Sequence, residues 1–422
     1  MRTLFLLLLA IFSGTLPCQA NDVYVDGTYG QDNPTCGLSP DQPCKTVKHV
    51  LHTFYFTPLN IKMAVGTYSE NISLNDVSPQ DLTLEGGWNQ NFTAQQCDPD
   101  LTVLEQPDNE EYVLYTYREK AKQYNLRLSC LTLREDPAAG DWLPLVKVEV
   151  DEQAKLTFTM NRCVVDERVG SGVCLTTRGD ATMHATMANT IFRNAHSTEP
   201  GPFGGGVLAS SRDSSKLTLT MKNCLLHNNT VYNGAGIYVD SGNTSLLTAD
   251  LTNVTVTNNH AEGYGGGLSA TSIDTSTLTI NLTNAIIHSN SADSAGNDLR
   301  LIGQPGGSTN TTNVRYSIIG EVVNHGATWN DNGHNLEVNP HLNSSYHLRS
   351  GSPAIDAGIC GELDWVLYTR IAPYFDIDGD PRPPFPALTG CDIGADEYVR
   401  EDEDSLCFPV KAKNGTTTII CL

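Results

Sequence analysis

A column of potentially reactive side chains recurs at one position of a repeated segment. Four residues beyond a predicted chain corner stand an acid, an arginine, two histidines and a threonine, namely Asp166, Arg193, His227, Thr257 and His288. The other polar side chains of the neighbouring turns are scattered: Asp240, His260, Glu262, Asp274 and Asp293. Glycoside hydrolysis needs two carboxyl groups a few ångströms apart, and no two of these acids share a position in adjacent repeats. A lyase would need a base, often Arg or Lys, and a means of neutralising a uronate.

The column therefore supplies candidates for a polysaccharide lyase or hydrolase, with Asp166, Arg193, His227 and His288 as the catalytic residues. The alternative is structural. An Asp166–Arg193 neighbour pair on a surface is usually an ion pair of small energetic value, and the histidines are then solvated polar residues.

A second interpretation is that the outward-facing side chains of the repeated segments bind a ligand. Sparse aromatic side chains, Tyr232, Tyr238 and Tyr264, stand among threonine, asparagine and serine ladders. Such a surface suits a glycan chain or the strand edge of a cell-surface partner. A third hypothesis makes the chain a structural spacer, and the sequence does not separate it from the binding hypothesis. We take binding or adhesion as the leading hypothesis and enzymatic activity as its alternative.

Three alternating acids near the C-terminus form a candidate calcium site. Asp376, Asp378 and Asp380 surround Gly379 in an oxygen-rich arrangement that resembles half of a calcium loop. No glutamate follows at the distance that an EF-hand loop requires. The alternative is a turn in which these carboxylates accept bonds from backbone amides or from Arg382.

The elements that position these residues are visible in a repeat. Five segments, each beginning at Leu156, Met183, Leu217, Leu247 or Leu278, are alike, and their seventh positions are 27, 34, 30 and 31 residues apart. A period of this size indicates stacked supersecondary units. Within each segment the first, third and fifth residues are apolar and those between are mostly polar, which is typical of a half-buried strand.

The residue after each strand predicts a corner. It is Asn189, Asn223, Asn253 or Asn284, with Arg162 as the exception. Asparagine tolerates the left-handed conformation that a tight corner needs, and stacking would align these side chains into a ladder. A second apolar run, a glycine cluster and a third strand follow. The sequence therefore predicts an all-β, right-handed parallel β-helix with three short strands per coil of about 30 residues, its coils about 4.8 Å apart.

The ends of the chain divide it into further regions. Residues 1–20 contain Arg2, an apolar run from Leu4 to Phe12 and the sequence Cys18-Gln19-Ala20, and they predict a secretory signal peptide. We expect an N-terminal cap at 21–60 with a short helix within 46–54, the β-helix at 61–345, a C-terminal capping region at 346–399, and an acidic linker with a disulfide-closed hairpin at 400–422. No later segment has the apolar length of a membrane span. The net charge of −22 disfavours nucleic acid as a partner.

Cysteine positions predict disulfides in an oxidising compartment. Cys36 with Cys44 flank turn residues, Cys360 with Cys391 are plausible partners, and Cys407 stands opposite Cys421 in the predicted terminal hairpin, where Ala412 pairs with Thr416. Eleven cysteines follow the signal peptide, so at least one thiol stays free or pairs between chains.

Several motifs together resemble a known group. They are YVDG and PCKTV near the N-terminus, VGTYSENI, EGGWNQNF, the Asn/Gly-Gly-Gly coils, AGNDLRL, GSPAIDAG, DGDPRP and DIGADEY. The chain resembles the bacterial secreted parallel β-helix proteins with a choice-of-anchor Q type C-terminal region. Its coils are also similar to the repeats of polymorphic outer-membrane adhesins, and the pectate-lyase superfamily shares the fold. Asp396 departs from the pattern, in which an aromatic residue is expected.

The resemblance implies a fold and an exported, extracellular or outer-membrane-associated location. It implies no chemistry, because one fold hosts many activities. Ligand, anchoring and oligomeric state stay open.

Overall fold

The computed structural model describes residues 21–55, 57–75, 78–107, 112–135, 143–166, 170–197, 204–304, 306–363, 368–384 and 386–399, and the backbone of 407–411 and 417–421. The predicted signal peptide at 1–20 and the acidic linker at 400–406 lie outside these residues.

The chain is an all-β parallel solenoid, as its repeat predicts. Each coil contributes strands to three faces, called faces A, B and C in chain order, and every strand pairs in parallel with its equivalents in the adjacent coils. The strands of face A are Asn21–Val25, Leu59–Ala64, Asp81–Trp88, Gln123–Ser129, Lys155–Asn161, Thr182–Arg193, Lys216–His227, Leu246–Thr257, Thr277–Thr283, Thr309–Arg315 and Thr328–Asp331.

Three of these strands, Thr182–Arg193, Lys216–His227 and Leu246–Thr257, continue past a corner into face B. The remaining strands of face B are Gly66–Ser69, Thr102–Glu105, Thr132–Arg134, Val164–Asp166, Ile286–Ile287 and Ile318–Ile319. The strands of face C are Ile72–Leu74, Leu114–Arg118, Val146–Val150, Val173–Thr177, Val207–Ser211, Ile237–Ser241, Leu268–Ser272, Leu299–Gly303 and Val322–His325. Between faces B and C a small parallel sheet contains Thr230–Asn233, His260–Tyr264 and Ser291–Ala292.

The corner between faces A and B has the backbone conformation that asparagine suits. Asn189, Asn223, Asn253 and Asn284 have φ of 49–52°, and Arg162 takes the same left-handed conformation at 51°. Side-chain amides bond along the stack, with Asn189 Nδ2 donating to Asn161 Oδ1 at 2.9 Å and Asn284 Nδ2 to Asn253 Oδ1 at 3.1 Å. Asparagine therefore recurs at this corner because it tolerates the left-handed backbone and its side chain bonds to an asparagine of the adjacent coil.

A second amide ladder lies inside the next corner. Asn229 Nδ2 donates to Asn259 Oδ1 at 2.8 Å, and Asn259 Nδ2 to Asn290 Oδ1 at 2.9 Å. The ladder ends at Asp298, whose Oδ1 accepts from Asn290 Nδ2 at 3.0 Å. All four side chains are buried. The glycine that opens each third turn follows, with Gly204, Gly234, Gly265 and Gly296 at φ of 63–76°, a region that residues with a Cβ rarely adopt.

The N-terminal region contains the expected short helix, Val47–Thr53, preceded by Thr46 as its N-cap. The Glu70 carboxylate accepts the amides of Val47 and Lys48 at 2.9 and 2.8 Å. It thereby satisfies two amides that a helix N-terminus leaves unpaired. Val47 and Val50 are buried in the solenoid core. The first coil therefore fixes the helix.

Three disulfides join described residues: Cys36–Cys44, Cys360–Cys391 and Cys97–Cys130. The first two are the pairs expected from sequence, and the third was not predicted. Among the described cysteines, Cys163, Cys174 and Cys224 are free thiols. At the C-terminus the strands Cys407–Lys411 and Thr417–Cys421 pair antiparallel with Cys407 opposite Cys421. The predicted Ala412–Thr416 pair and the side chains of this hairpin lie outside the described residues.

The described part of region 346–399 consists mainly of irregular segments. Its short strands form antiparallel pairs: Gly358–Ile359, Gly361–Leu363, Tyr368–Arg370 and Thr389–Cys391. A 3₁₀ turn, Pro99–Leu101, lies in an early coil of the solenoid. We call residues 346–399 the C-terminal region.

Candidate functional site

The predicted column is assembled on face B. Strand register places Asp166 beside Arg193, Arg193 beside His227 and His227 beside Thr257. His288 follows Ile287, which pairs with Val256. The register therefore makes neighbours of the residues that sequence spacing aligned.

Ion pairs occupy the acidic and basic members of the column. Arg193 Nε and Nη2 donate to Asp166 Oδ2 at 3.0 and 2.9 Å, and Asn194 Nδ2 donates to Asp166 Oδ1 at 2.7 Å. In the preceding coils Arg134 donates from Nε and Nη2 to Glu105 Oε1 at 3.0 and 2.6 Å. Opposite charges thus alternate along face B, and each of these carboxylates faces an arginine instead of a second acid.

His227 is held as a neutral, covered side chain. Its ring centroid lies 4.4 Å from that of Tyr346, which comes from the C-terminal region. Burial and, secondarily, the charge of Arg193 lower the pKa of His227 to about 4, against a smaller opposite effect of Asp166. His288, by contrast, is half-buried and shares a 2.8 Å hydrogen bond between Nδ1 and Ser289 Oγ. The two histidines therefore occupy different environments.

The C-terminal region packs along the flank of the solenoid at its asparagine corners. Tyr346 donates to Asn228 Oδ1 at 2.6 Å and accepts from Asn258 Nδ2 at 3.1 Å. Asn253 Nδ2 donates to the carbonyls of Asp392 and Gly394 at 3.1 and 3.0 Å. Asn284 Nδ2 donates to the Ile359 carbonyl at 2.8 Å. Asparagines at the corner between faces A and B and at the end of face B thus also bind the C-terminal region. No local sequence signal revealed this role.

Asp376 and Asp378 of the candidate calcium site have different partners. Asp376 is buried, and its Oδ1 accepts the amides of Asp378, Gly379 and Asp380 at 2.9, 2.8 and 2.8 Å. Its Oδ2 accepts the Glu397 amide at 2.9 Å. This is the arrangement of a carboxylate that organises a turn. Arg382 donates to Glu397 Oε2 at 2.5 Å, while Asp378 lies 3.1 Å from His347 Nε2.

Arg300 on face C interacts with two of the three candidate binding tyrosines, Tyr238 on the same face and Tyr264 on the neighbouring small sheet. Tyr238 and Arg300 occupy the same strand position two coils apart, with Ser269 between them. The Arg300 guanidinium carbon lies 4.3 Å from the centroid of the Tyr264 ring, a cation–π contact. Arg212 pairs with the buried carboxylate of Asp240, two residues along from Tyr238. Tyr232 lies on the neighbouring small sheet, in Thr230–Asn233.

Burial and neighbouring charges shift the pKa values of ionisable groups around Tyr238 and Arg300. Burial raises the pKa of Tyr238, and Asp240 raises it further, whereas Arg300 and Arg212 act in the opposite direction. Burial lowers the pKa of the Arg300 guanidinium. The arginine is therefore partly desolvated and lies against the Tyr264 ring, an environment that would strengthen hydrogen bonds from its guanidinium to an anion or a hydroxyl group.

A second aromatic cluster lies near the N-terminal end of face C. Lys147 Nζ lies 5.7 Å from the ring centroids of both Tyr112 and Tyr115 and 3.3 Å from Glu149 Oε2. Tyr115 OH donates to Glu149 Oε2 at 3.1 Å. Strand register joins the two clusters in one row, which we call the face C row: Tyr115, Lys147, Cys174, Leu208, Tyr238, Ser269 and Arg300. Sequence reasoning missed its first half, because those coils lack the Asn and Gly signature.

No protein-family model matches this chain, and no curated protein shows significant similarity to it. The helices within the described residues all fall short of the length and apolar character that crossing a membrane requires.

Proposed function

We propose that the chain is an exported surface protein that binds an extended glycan along the face C row. The observation that carries the proposal is the pair of aromatic–cation clusters at the two ends of one row. Six strand spacings of roughly 4.8 Å separate Tyr115 from Arg300, or about 29 Å. A polymer of several sugar units can span that distance, whereas a single small molecule cannot.

The chemistry of the row suits a carbohydrate. Tyrosine rings offer flat apolar faces to the C–H faces of sugar rings, with a hydroxyl at the rim. Lys147 and Arg300 donate hydrogen bonds to hydroxyl or carboxylate groups, and Arg300 can do so in bidentate fashion. Each cluster alone offers a shallow, weak contact. Two clusters engaged by one chain raise the overall affinity, because the second contact forms intramolecularly.

The arrangement of the faces supports binding over cleavage. On face B the candidate acid Asp166 is paired with Arg193, and the ring of His227 lies against that of Tyr346. The contacts of the C-terminal region described above lie at the corner between faces A and B and at the end of face B. Export is supported by three disulfides among described residues together with the signal peptide predicted at 1–20.

The test is retention and product analysis on a polysaccharide panel. The chain from residue 21 onward is incubated with neutral glycans, polygalacturonate, alginate and glycosaminoglycans, with calcium and with chelator. We expect at least one polymer to retard the protein in affinity electrophoresis, and mass spectrometry to find that polymer intact. Unsaturated or hydrated fragments would replace the proposal with a lyase or a hydrolase. If the protein is not retained by any polymer and no fragments form, the result favours the spacer hypothesis.

A further inference from the structure

Three separate segments of the C-terminal region meet at one cluster of potential metal ligands. His347 comes from the YHLRSGSPAIDAG motif, Asp378 from DIDGDPRP and Asp396 from CDIGADEY. One ligand atom from each of the three side chains lies within 4.8 Å of the others. The sequence grouped Asp378 with its chain neighbours, but the fold groups it with a histidine and an acid from distant segments.

One ligand–ligand distance fits a shared ion, and the other two are within 4.8 Å. Zinc ligands lie at about 2.0–2.2 Å, so two adjacent ligands on one ion are separated by roughly 3.0–3.6 Å. His347 Nε2 and Asp378 Oδ2 are 3.1 Å apart. Asp396 is nine-tenths buried, and its Oδ2 accepts the Leu348 amide at 2.7 Å. That bond fixes the carboxylate and links it to the residue after His347, as outer partners of metal ligands commonly do.

The surroundings carry more negative than positive charge. Asp376, Asp392, Asp396 and Glu397 are all buried, and Arg382 is the buried cation beside them. Arg382 is already bound to Glu397. A cation at the cluster would offset this excess of negative charge, since buried charges are stable only when compensated.

The mixed ligand set selects the kind of ion. Calcium and magnesium take oxygen ligands, whereas a set of one imidazole and two carboxylates suits zinc and similar transition metals. Three protein ligands leave a fourth position, as in zinc sites that bind water or a further group. The side chains of His347 and Asp378 are 38% and 46% exposed, so the open position faces solvent.

We propose that His347, Asp378 and Asp396 bind one divalent transition-metal ion, with zinc as the representative, which ties the three motifs of the C-terminal region together. This site differs from the candidate calcium turn, with which it shares only Asp378. It is also independent of the glycan proposal, because it involves neither face C nor any residue of its row.

The first experiment measures metal binding to the chain from residue 21 onward after treatment with chelator. Zinc is titrated in competition with a fluorescent chelator, and calcium is titrated in parallel. We expect one zinc ion per chain, a rise in Tm with zinc, and no comparable effect of calcium. His347→Ala, Asp378→Asn and Asp396→Asn should each weaken zinc binding at least tenfold. The control is His325→Ala, which removes an exposed histidine of face C and should bind zinc like the parent chain.

A cobalt spectrum guards against variants that fail to fold. Cobalt(II) added to the parent chain should give visible bands of a low-coordinate nitrogen and oxygen site, and zinc should displace them. Absence of stoichiometric zinc binding would leave His347 and Asp378 as a simple ion pair and overturn the proposal. So would zinc binding that survives His347→Ala. Calcium binding that is lost in Asp380→Asn but not in His347→Ala would contradict the proposal. It would support the candidate calcium site at Asp376, Asp378 and Asp380 instead.

Discussion

At the scale of single residues, the column on face B shows how environment decides what a titratable group can do. His227 lies against Tyr346 and beside Arg193, and Asp166 is fully engaged by Arg193 and Asn194. A general base needs a pKa near the working pH and access to substrate, whereas the pKa of His227 is lowered to about 4. We therefore expect these side chains to stabilise the flank of the solenoid.

The lowered pKa of His227 predicts an acid-dependent loss of stability. Above pH 6.5 the ring is neutral in both the folded and the unfolded chain. As the pH falls from 6.5 towards about 4, the unfolded chain binds a proton that the folded chain does not, so the free energy of unfolding decreases. The loss is complete below the folded pKa and is at most about 3 kcal/mol.

The measurement is chemical denaturation between pH 7 and pH 4 for the parent chain and for His227→Gln. The parent should lose more stability than the variant over this range. Comparing the two chains removes the contribution of the carboxylates, which titrate in both. Parallel curves for the two chains would contradict the assignment of His227 as a buried neutral ring.

Asp166→Asn tests the role of the acid in the column. Because the Asp166–Arg193 pair is partly exposed, we expect the free energy of unfolding to fall by less than about 1 kcal/mol. Glycan retention in affinity electrophoresis should be unchanged, since face C is not altered. Loss of a polysaccharide-degrading activity in this variant would show instead that Asp166 is catalytic.

At the scale of elements, the asparagine corners do two jobs. They turn the chain between faces A and B, and some of them hold the C-terminal region through side-chain amides. The first job follows from the left-handed conformation, which Arg162 also adopts at φ of 51°. The second depends on segments more than a hundred residues away, such as Asp392 and Gly394 opposite Asn253.

Replacing corner asparagines by glycine separates these two jobs. Glycine keeps the left-handed corner, so Asn253→Gly removes the two docking bonds together with the ladder bond from Asn284 Nδ2. It leaves the carbonyls of Asp392 and Gly394 without that donor, and we expect a loss of about 2–3 kcal/mol. Asn189→Gly is the matched control. Its side chain is half-buried and bonds within the ladder, so about 1 kcal/mol should be lost.

Denaturant titration gives the energies, and hydrogen exchange of residues 391–395 reports docking. Asn253→Gly should accelerate exchange there, and Asn189→Gly should not. Equal energies and equal exchange in the two variants would contradict the docking role of the corner.

The sequence predicts elements well where one residue's own conformation repeats with the coil. The strand alternation from Leu156 onward, the corners and the helix near Val47 are of that kind. It predicts poorly what depends on register across coils or on distant contacts. Tyr115 and Lys147 carry no repeat signature, the partner of Cys130 is Cys97 in another coil, and the pairing of His347 with Asp378 forms only when distant segments meet.

At the scale of the whole molecule, the three faces differ in character. Face A presents mostly threonine and asparagine, face B contains alternating ion pairs and is flanked by the C-terminal region, and face C carries the aromatic–cation row. A solenoid is suited to such a division, because equal positions in successive coils form straight rows along its length. A row about 29 Å long matches an extended polymer better than a compact ligand.

The central claim is that one glycan chain engages both ends of the face C row. Affinity electrophoresis on the polymer retained from the panel should therefore compare the parent with a Lys147→Ala and Arg300→Ala double variant. The control is Lys122→Ala with Lys216→Ala, which removes the same charge at exposed positions away from face C. We predict that the face C variant loses retention by tenfold or more and that each single variant loses less. Unchanged retention of the face C variant, or equal loss in the control, would contradict the claim.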